Sequence, residues 1–391
     1  MRLIADEKVI CTSPDPAGVY LYTPALLEGF GGRLVAAVDF GGPGTAILDG
    51  PRSTLGDYPS GNQVRVLVSD DRGETWRETG ARLPMMHEIL FRAGTSLYMM
   101  GHTGKLVITR SDDNGETWTA PSVLCDCPRW HQSCGAVDHR HGKVYLTYEK
   151  WIYEGHPWPG VAPVLLSARE DDDLTQASAW TFSRPYNPDG ALAASQPSGV
   201  QQLPVSYDRA PAPGILETST LRIYDPRHPF YDPEDRTVIL LMRANTGYPD
   251  IGAILKGVEK PDGSLEISRI RTPHGSELFL LHVPGGDLKF HVAYDEQTRL
   301  YWMVHSQIDG RMNERRRLGL SYSPDLIRWT CAGLVAVGPC DRGSRHYATL
   351  VISGDDLFVL SRSGDERAKN PHDNNLTTFH RVRDFRRLAE D

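Results

Sequence analysis

Short apolar runs, most of them alternating with polar residues and all bounded by Gly, Pro, Asn or Asp, recur along the whole chain. VRVLVSDD (64–71), SLYMMG (96–101), KLVITRS (105–111), KVYLTYE (143–149) and TVILLMRA (237–244) are the clearest. A period of two puts one face of an extended segment on a core and the other toward solvent, so each run predicts a β-strand. A 3.6-residue period is nearly absent, and DDDLTQASAW (171–180) has room for one helical turn. The pattern predicts an all-β protein.

Self-similarity narrows the kind. SDDRGETW starts at Ser69 and SDDNGETW at Ser111, 42 residues apart, and weaker copies follow in SAREDDDL…AWTFS from Ser167 and SYSPDLIRWT from Ser321. Units that recur at a fixed period and cannot bury their own faces alone must stack on one another. A four-stranded blade takes about 40–50 residues, so the chain predicts a β-propeller of about six to eight blades, with seven-bladed the best fit and six-bladed next. Within the S-x-D-x-G-x-T-W box, Asp71 and Asp113 can bond the backbone of a tight turn. Gly73 and Gly115 supply a positive φ, and Trp76 and Trp118 pack between blades. The acids of the box are therefore structural. Residues 186–214, rich in Pro, Ala, Ser and Gly, break the rhythm and predict a long loop laid over one face of a single propeller spanning 1–391.

Composition changes the picture at three points. The balance of 42 Lys+Arg against 50 Asp+Glu leaves a net charge of −8, the wrong sign for a protein held by phosphate contacts, so no nucleic-acid partner is expected. No apolar run is long enough to span a membrane, and MRLIADEKVI puts acids where a signal peptide would be apolar, which points to a cytoplasmic protein, or to a secreted one if a leader has been removed. Six cysteines are too few for a disulfide scaffold and are expected to be reduced thiols. Three of them, Cys125, Cys127 and Cys134, join His131 in a C-x-C-x3-H-x2-C stretch. Such soft donors suit a structural metal ion, and the alternative for His131 is a glycan contact. Neither a Walker loop nor a dinucleotide fingerprint, GxSxG or HExxH appears, and no cofactor is required.

The two full Asp-boxes make the chain resemble the sialidase superfamily of β-propellers. Sialidases carry an Arg-Ile-Pro near the amino terminus whose arginine binds the sialic acid carboxylate; here the matching run is Tyr22-Thr23-Pro24. The chain is similar over more of its length to the sialidase-like propellers that include ulvan lyases, rhamnose–glucuronate lyases and related rhamnosidases. The shared stretches are GVYLYTPALLEGFGGRLVAAVDFGGPG (18–44), LFRAGTSLYMMGHTGKLVITRSDDNGETWTAP (90–121), VPGGDLKFHVAYDEQTRLYWM (283–303) and PHDNNLTTFHRVRDF (371–385). That resemblance implies two histidines, a tyrosine and an arginine around a uronate: His102 and Met86 or His87, Tyr148, and Arg243 in LLMRAN. A further arginine of the group has no counterpart, since VAPVLL stands in its place.

Cleavage of a uronate by β-elimination needs its carboxylate neutralised, a base for the C5 proton and an acid for the leaving oxygen. His87 or His102 is the expected base, Tyr148 the acid, and Arg243 the neutraliser through a bidentate guanidinium–carboxylate contact. Lys289 after a Gly-Gly, Arg362 at the end of LFVLSRS, and His372 and Asn374 in PHDNN are expected to bind the substrate with His131. The expected function is thus a lyase of a uronic-acid-containing glycan or oligosaccharide. Two rivals remain: a glycoside hydrolase of the same superfamily, for which Asp39, Glu149 and Glu217 are unpaired candidate carboxylates, and a non-catalytic glycan-binding propeller.

Overall fold

The computed structural model describes residues 2–53, 61–152, 160–187, 214–246, 248–307 and 315–390. The alternating runs form strands as expected, and they assemble into six antiparallel blades. Blade one is Tyr20–Glu28, Leu34–Gly41, Gln63–Ser69 and Arg77–Leu83; blade two is Met86–Ala93, Ser96–His102, Leu106–Ser111 and Ser122–Cys125. Blade three has a split inner strand, Trp130–His131 and Asp138–Arg140, both paired with Lys143–Trp151, followed by Val161–Arg169 and Trp180–Phe182. Blade four is Gly214–Leu221, Thr237–Asn245, Ile251–Glu259 and Leu265–Ser268; blade five is His291–Asp295, Leu300–Ser306, Arg317–Ser323 and Thr330–Val337. Blade six takes Arg345–Ser353, Asp356–Ser363 and Leu376–Val382 from the carboxyl end and Asp6–Thr12 from the amino end, which closes the ring.

Six apolar layers, one between each pair of neighbouring blades, hold the circle. Val35, Val66, Leu90 and Met99 fill the layer between blades one and two, and Phe40, Phe358, Leu360 and Phe379 fill the one between blades six and one. Burying side chains of this size contributes about 1.5–3 kcal/mol each, so sheets that are only half-buried alone become stable in the ring. The expectation of seven blades is corrected to six. The 42-residue period holds only between the first two boxes. Farther along, residues 183–213 separate blades three and four, residues 222–236 leave the sheet, and a hairpin of Ile270–Arg271 and Glu277–Leu278 follows blade four. Most of the expected loop at 186–214 lies outside the described residues.

Both full boxes adopt one geometry. Ser69 and Ser111 donate to Asp71 and Asp113 at 2.8 Å and accept from the amides of Gly73 and Gly115 at 2.8 Å. The indole N–H of Trp76 and of Trp118 donates to the carbonyl of Gly73 and of Gly115 at 3.2 and 3.1 Å. Each box joins the third strand of its blade to the fourth, and the Asp325 turn repeats the pattern in blade five. The single helical turn expected in DDDLTQASAW is a 3-10 turn at Ala177–Ala179.

The expectation of reduced thiols fails at one place: Cys125 and Cys127 are joined, their Cα atoms 5.3 Å apart, within the reach of a disulfide. The metal-ligand reading of that stretch is corrected with it. Two of its thiols bond each other, Cys134 is buried among apolar side chains of blades one and two, and His131 pairs with Glu149. Among the described residues no cluster of His, Cys, Asp or Glu is arranged to hold a metal.

Candidate active site

The inner strands of four blades share a device that the sequence does not announce. Register slips between Leu21 and Pro24, Met86 and Ile89, Leu216 and Ser219, and His346 and Thr349. Each slip is a bulge that frees two residues from pairing and re-aims their side chains. Three of these residues hold a positive φ although none is glycine: His87 at 55°, Glu217 at 59° and Tyr347 at 46°. Such backbone is strained by about 1–3 kcal/mol and persists where the surrounding structure enforces it. The bulges converge on a cavity of about 830 Å³ lined by Tyr22, Thr23, His87, Glu217 and Tyr347.

On the side of blades one, four and six Arg362 lines the cavity, and Arg243 and Arg315 contact its lining residue Tyr347. Arg243 is buried; its Nη1 donates to both Glu217 oxygens at 3.2 and 3.3 Å and to the Tyr347 hydroxyl at 3.0 Å. Its Nε donates to the Asp287 carbonyl at 2.9 Å and Asn245 Oδ1 at 3.2 Å, which fixes the plane of the group. Burial alone would raise the Glu217 pKa, but Arg243 foremost, with His131, pulls it below the ordinary value, so this carboxylate stays ionised. Arg362 lies with its Cζ 4.1 Å from the centre of the Tyr347 ring and 4.8 Å from that of Tyr22. It donates to Thr23 Oγ1 at 3.1 Å, while its Nε is buried without a partner. Arg315 sits 5.3 Å from the Tyr347 ring and bonds His346 Nδ1 at 3.0 Å. Among the described residues neither Arg315 nor Arg362 has a carboxylate within ion-pair distance, and burial pushes the pKa of Arg362 down. A buried cation without a counter-ion is a demand for an anion.

On the side of blades two and three the lining is imidazole. His87 Nδ1 and His102 Nε2 are 3.0 Å apart, and the rings of His87 and His131 stand edge to face at 5.0 Å. Burial drives the His87 pKa well below its ordinary value and lowers that of His102 to about 3, so both are neutral bases at neutral pH. Pro128, Arg129, Trp130 and Trp151 complete this wall, with Arg129 over the Trp151 ring at 4.7 Å.

Of the residues singled out from the sequence, His87, His102, His131, Arg362 and His372 line the cavity, and Arg243 grips two residues that do. Three do not reach it. Tyr148, expected as the acid, has no exposed surface; its hydroxyl donates to the carbonyls of Met100 at 2.7 Å and His87 at 3.1 Å, and it is a core tyrosine. Lys289 is buried outside the lining and donates to the Ala348 carbonyl; burial lowers its pKa to about 8. Asn374 accepts from Ser344 at 2.6 Å, bonds His346 at 3.0 Å, and accepts the Leu21 amide on its backbone carbonyl, so it ties blade six to blade one. Tyr347, Arg315 and Tyr22 were missed as site residues. RHYAT and ERRRL carry no spacing that distinguishes them from ordinary strand and loop sequence.

No protein-family model matches the chain, and no curated protein is significantly similar to it in sequence. Its structure, however, resembles a Trypanosoma rangeli sialidase in complex with sialic acid at 13% identity and a TM-score of 0.59, covering 99% of this chain and 60% of that one. It also resembles a Penicillium chrysogenum α-L-arabinanase complexed with arabinobiose (13% identity, TM-score 0.54, 97% and 98% covered). A protein of unknown function from Dyadobacter fermentans is similar at 12% identity and a TM-score of 0.57, with 98% of both chains covered. The chain therefore spans about 60% of the length of the sialidase. At such identities the likeness carries the fold alone: this is a six-bladed β-propeller, with a polar cavity lined by residues of five blades.

Proposed function

We propose that the protein is a glycoside hydrolase acting on a sugar that bears a carboxylate, with Tyr347 as nucleophile. The observation that carries this reading is the surround of the Tyr347 phenol. Arg243 bonds its oxygen at 3.0 Å, Arg362 and Arg315 flank its ring, and Glu217 sits ionised on the same Arg243 nitrogen. The carboxylate of the sugar answers the counter-ion that Arg362 lacks among the described residues. A phenol is a weak nucleophile until a base takes its proton, and Glu217, held on the same Arg243 nitrogen as the Tyr347 oxygen, is the base at hand. As Oη bonds the anomeric carbon, the phenolic proton passes to Glu217 and the glycosidic bond breaks. The neighbours named a sialidase and an arabinanase support hydrolysis on this fold.

A second reading, β-elimination at a uronate, is favoured by one observation: the neutral His87–His102 pair on the same cavity, either of which can take a C5 proton. Incubation with glycosides of glucuronic and N-acetylneuraminic acid separates the two. Reducing sugar without the ultraviolet absorbance of an unsaturated uronate is expected, and Tyr347→Phe should lower kcat by at least about 10³-fold. Absorbance growth that survives Tyr347→Phe and is lost in His87→Ala establishes elimination instead. Binding without turnover establishes a lectin-like module.

A further inference from the structure

Hydrolysis through Tyr347 leaves one role unfilled, because the leaving oxygen must gain a proton as its bond to the sugar breaks. Four histidines line the cavity. Two of them, His87 and His102, are held neutral by burial and bond one another. His372 bonds Asp373 at 2.8 Å, yet burial and the nearby guanidinium groups of Arg362 and Arg315 bring its pKa down to about 4. His131 is different. Its Nδ1 lies 3.1 Å from Oε2 of Glu149, a carboxylate with no exposed surface whose other oxygen accepts from the Thr218 amide and hydroxyl at 3.1 Å each. Thr218 adjoins Glu217, so the acid is locked between blades three and four beside the nucleophile's carboxylate. Nothing in the attack by Tyr347 uses Glu149, and a buried carboxylate is expensive unless it serves a partner. Position agrees. Blades three and six are opposite in a ring of six, so His131 and Tyr347 meet a bound sugar from opposing walls, and a 3.2 Å contact of Ser133 with Thr23 braces the His131 segment against blade one.

We propose that His131 is the catalytic acid and base of the reaction and that Glu149 positions it and stabilises its charged form; the inference rests on the hydrolase reading above. As the glycosidic bond breaks, its electron pair stays on the leaving oxygen, which takes the proton of His131 Nε2. The Nδ1 proton stays on the ring, donated to Glu149. Water then gives a proton back to Nε2 while its oxygen displaces the Tyr347 phenolate from the anomeric carbon, and Glu217 returns the phenolic proton. Among the described residues, the other titratable groups facing His131 include His87 and His102 of blade two and Glu217 of blade four.

The test compares 4-nitrophenyl and methyl glycosides of whichever acidic sugar the wild type hydrolyses. A nitrophenolate leaves without protonation, whereas methoxide does not. His131→Gln should lose about 10²–10⁴-fold in kcat/KM on the methyl glycoside and less than about 10-fold on the nitrophenyl glycoside, the second substrate also reporting an intact fold. Glu149→Gln keeps an oxygen for Thr218 but removes the negative charge. The limb of the pH–rate profile that falls as the imidazolium deprotonates should therefore move to lower pH, with KM unchanged. Equal losses of His131→Gln in kcat/KM on both glycosides, or no loss on either, overturn the dyad while leaving hydrolysis standing. Wild-type turnover of neither glycoside overturns the hydrolase reading and the dyad together.

Discussion

His102 carries no charge at neutral pH because burial lowers its pKa to about 3, whereas an imidazole in the unfolded chain titrates near its ordinary value of 6.5. Between those values the unfolded state holds a proton that the folded state refuses. Stability must then fall as pH falls below 6.5, by up to about 1.4 kcal/mol per pH unit from this one group. Above 6.5 both states are neutral and the term vanishes. His102→Gln removes it, so in denaturant titrations the wild type should lose its advantage over the variant as pH goes from 7.5 to 5; a gap independent of pH would show that the buried imidazole takes up its proton as readily as in the unfolded chain. The same residue shows what was legible at this scale. A histidine in a Gly-His-Thr-Gly turn has no packing reason to be there, and it does line the cavity. Tyr148 misled because a tyrosine on an apolar strand reads alike whether its hydroxyl meets a substrate or, as here, two carbonyls.

At the scale of single elements the box turns were readable because glycine advertises positive φ. Gly73 has φ 86°, and a Cβ there would stand 2.2 Å from the ring of Phe379. Gly80, in the strand Arg77–Leu83, has φ 87° with nothing within 4 Å of such a Cβ. The two glycines separate backbone strain from collision. Gly80→Ala should lower unfolding free energy by about 1–2 kcal/mol, the cost of the left-handed region alone, and Gly73→Ala by about 1–3 kcal/mol more, since Trp76 and Phe379 must part. Urea midpoints of both variants measure this, and equal losses would mean that the box is not packed against blade six. The inner-strand bulges could not be read the same way. His87, Glu217 and Tyr347 occupy left-handed backbone without glycine, so the feature that builds the site has no compositional mark. Tertiary packing imposes it.

For the molecule as a whole, the repeat revealed a propeller but not its blade count, because the 42-residue spacing of Ser69 and Ser111 was extrapolated to a chain that spends residues between and beyond blades three and four. Closure was equally silent, since strand Asp6–Thr12 looks like any edge strand until it pairs with Leu376–Val382. Its consequence reaches the site. Glu7 accepts from Arg345 Nη2 at 2.7 Å and Nε at 2.8 Å, and Arg345, almost wholly buried, also donates to the carbonyls of Ser344 and Gly364. Two residues farther along the same strand stands Tyr347. Arg345 thus fastens the amino-terminal strand to the inner strand that carries the proposed nucleophile. Removing the carboxylate strands a buried guanidinium, and since Glu7 is partly exposed the loss is screened; Glu7→Ala should destabilise by about 1–3 kcal/mol. Because the displaced strand belongs to blade six, turnover should fall as well, and deletion of residues 2–12 should abolish it. If the truncated chain instead unfolds with an undiminished midpoint and full activity, the ring is held by its six apolar layers alone and the seam between the two chain ends contributes nothing to the cavity.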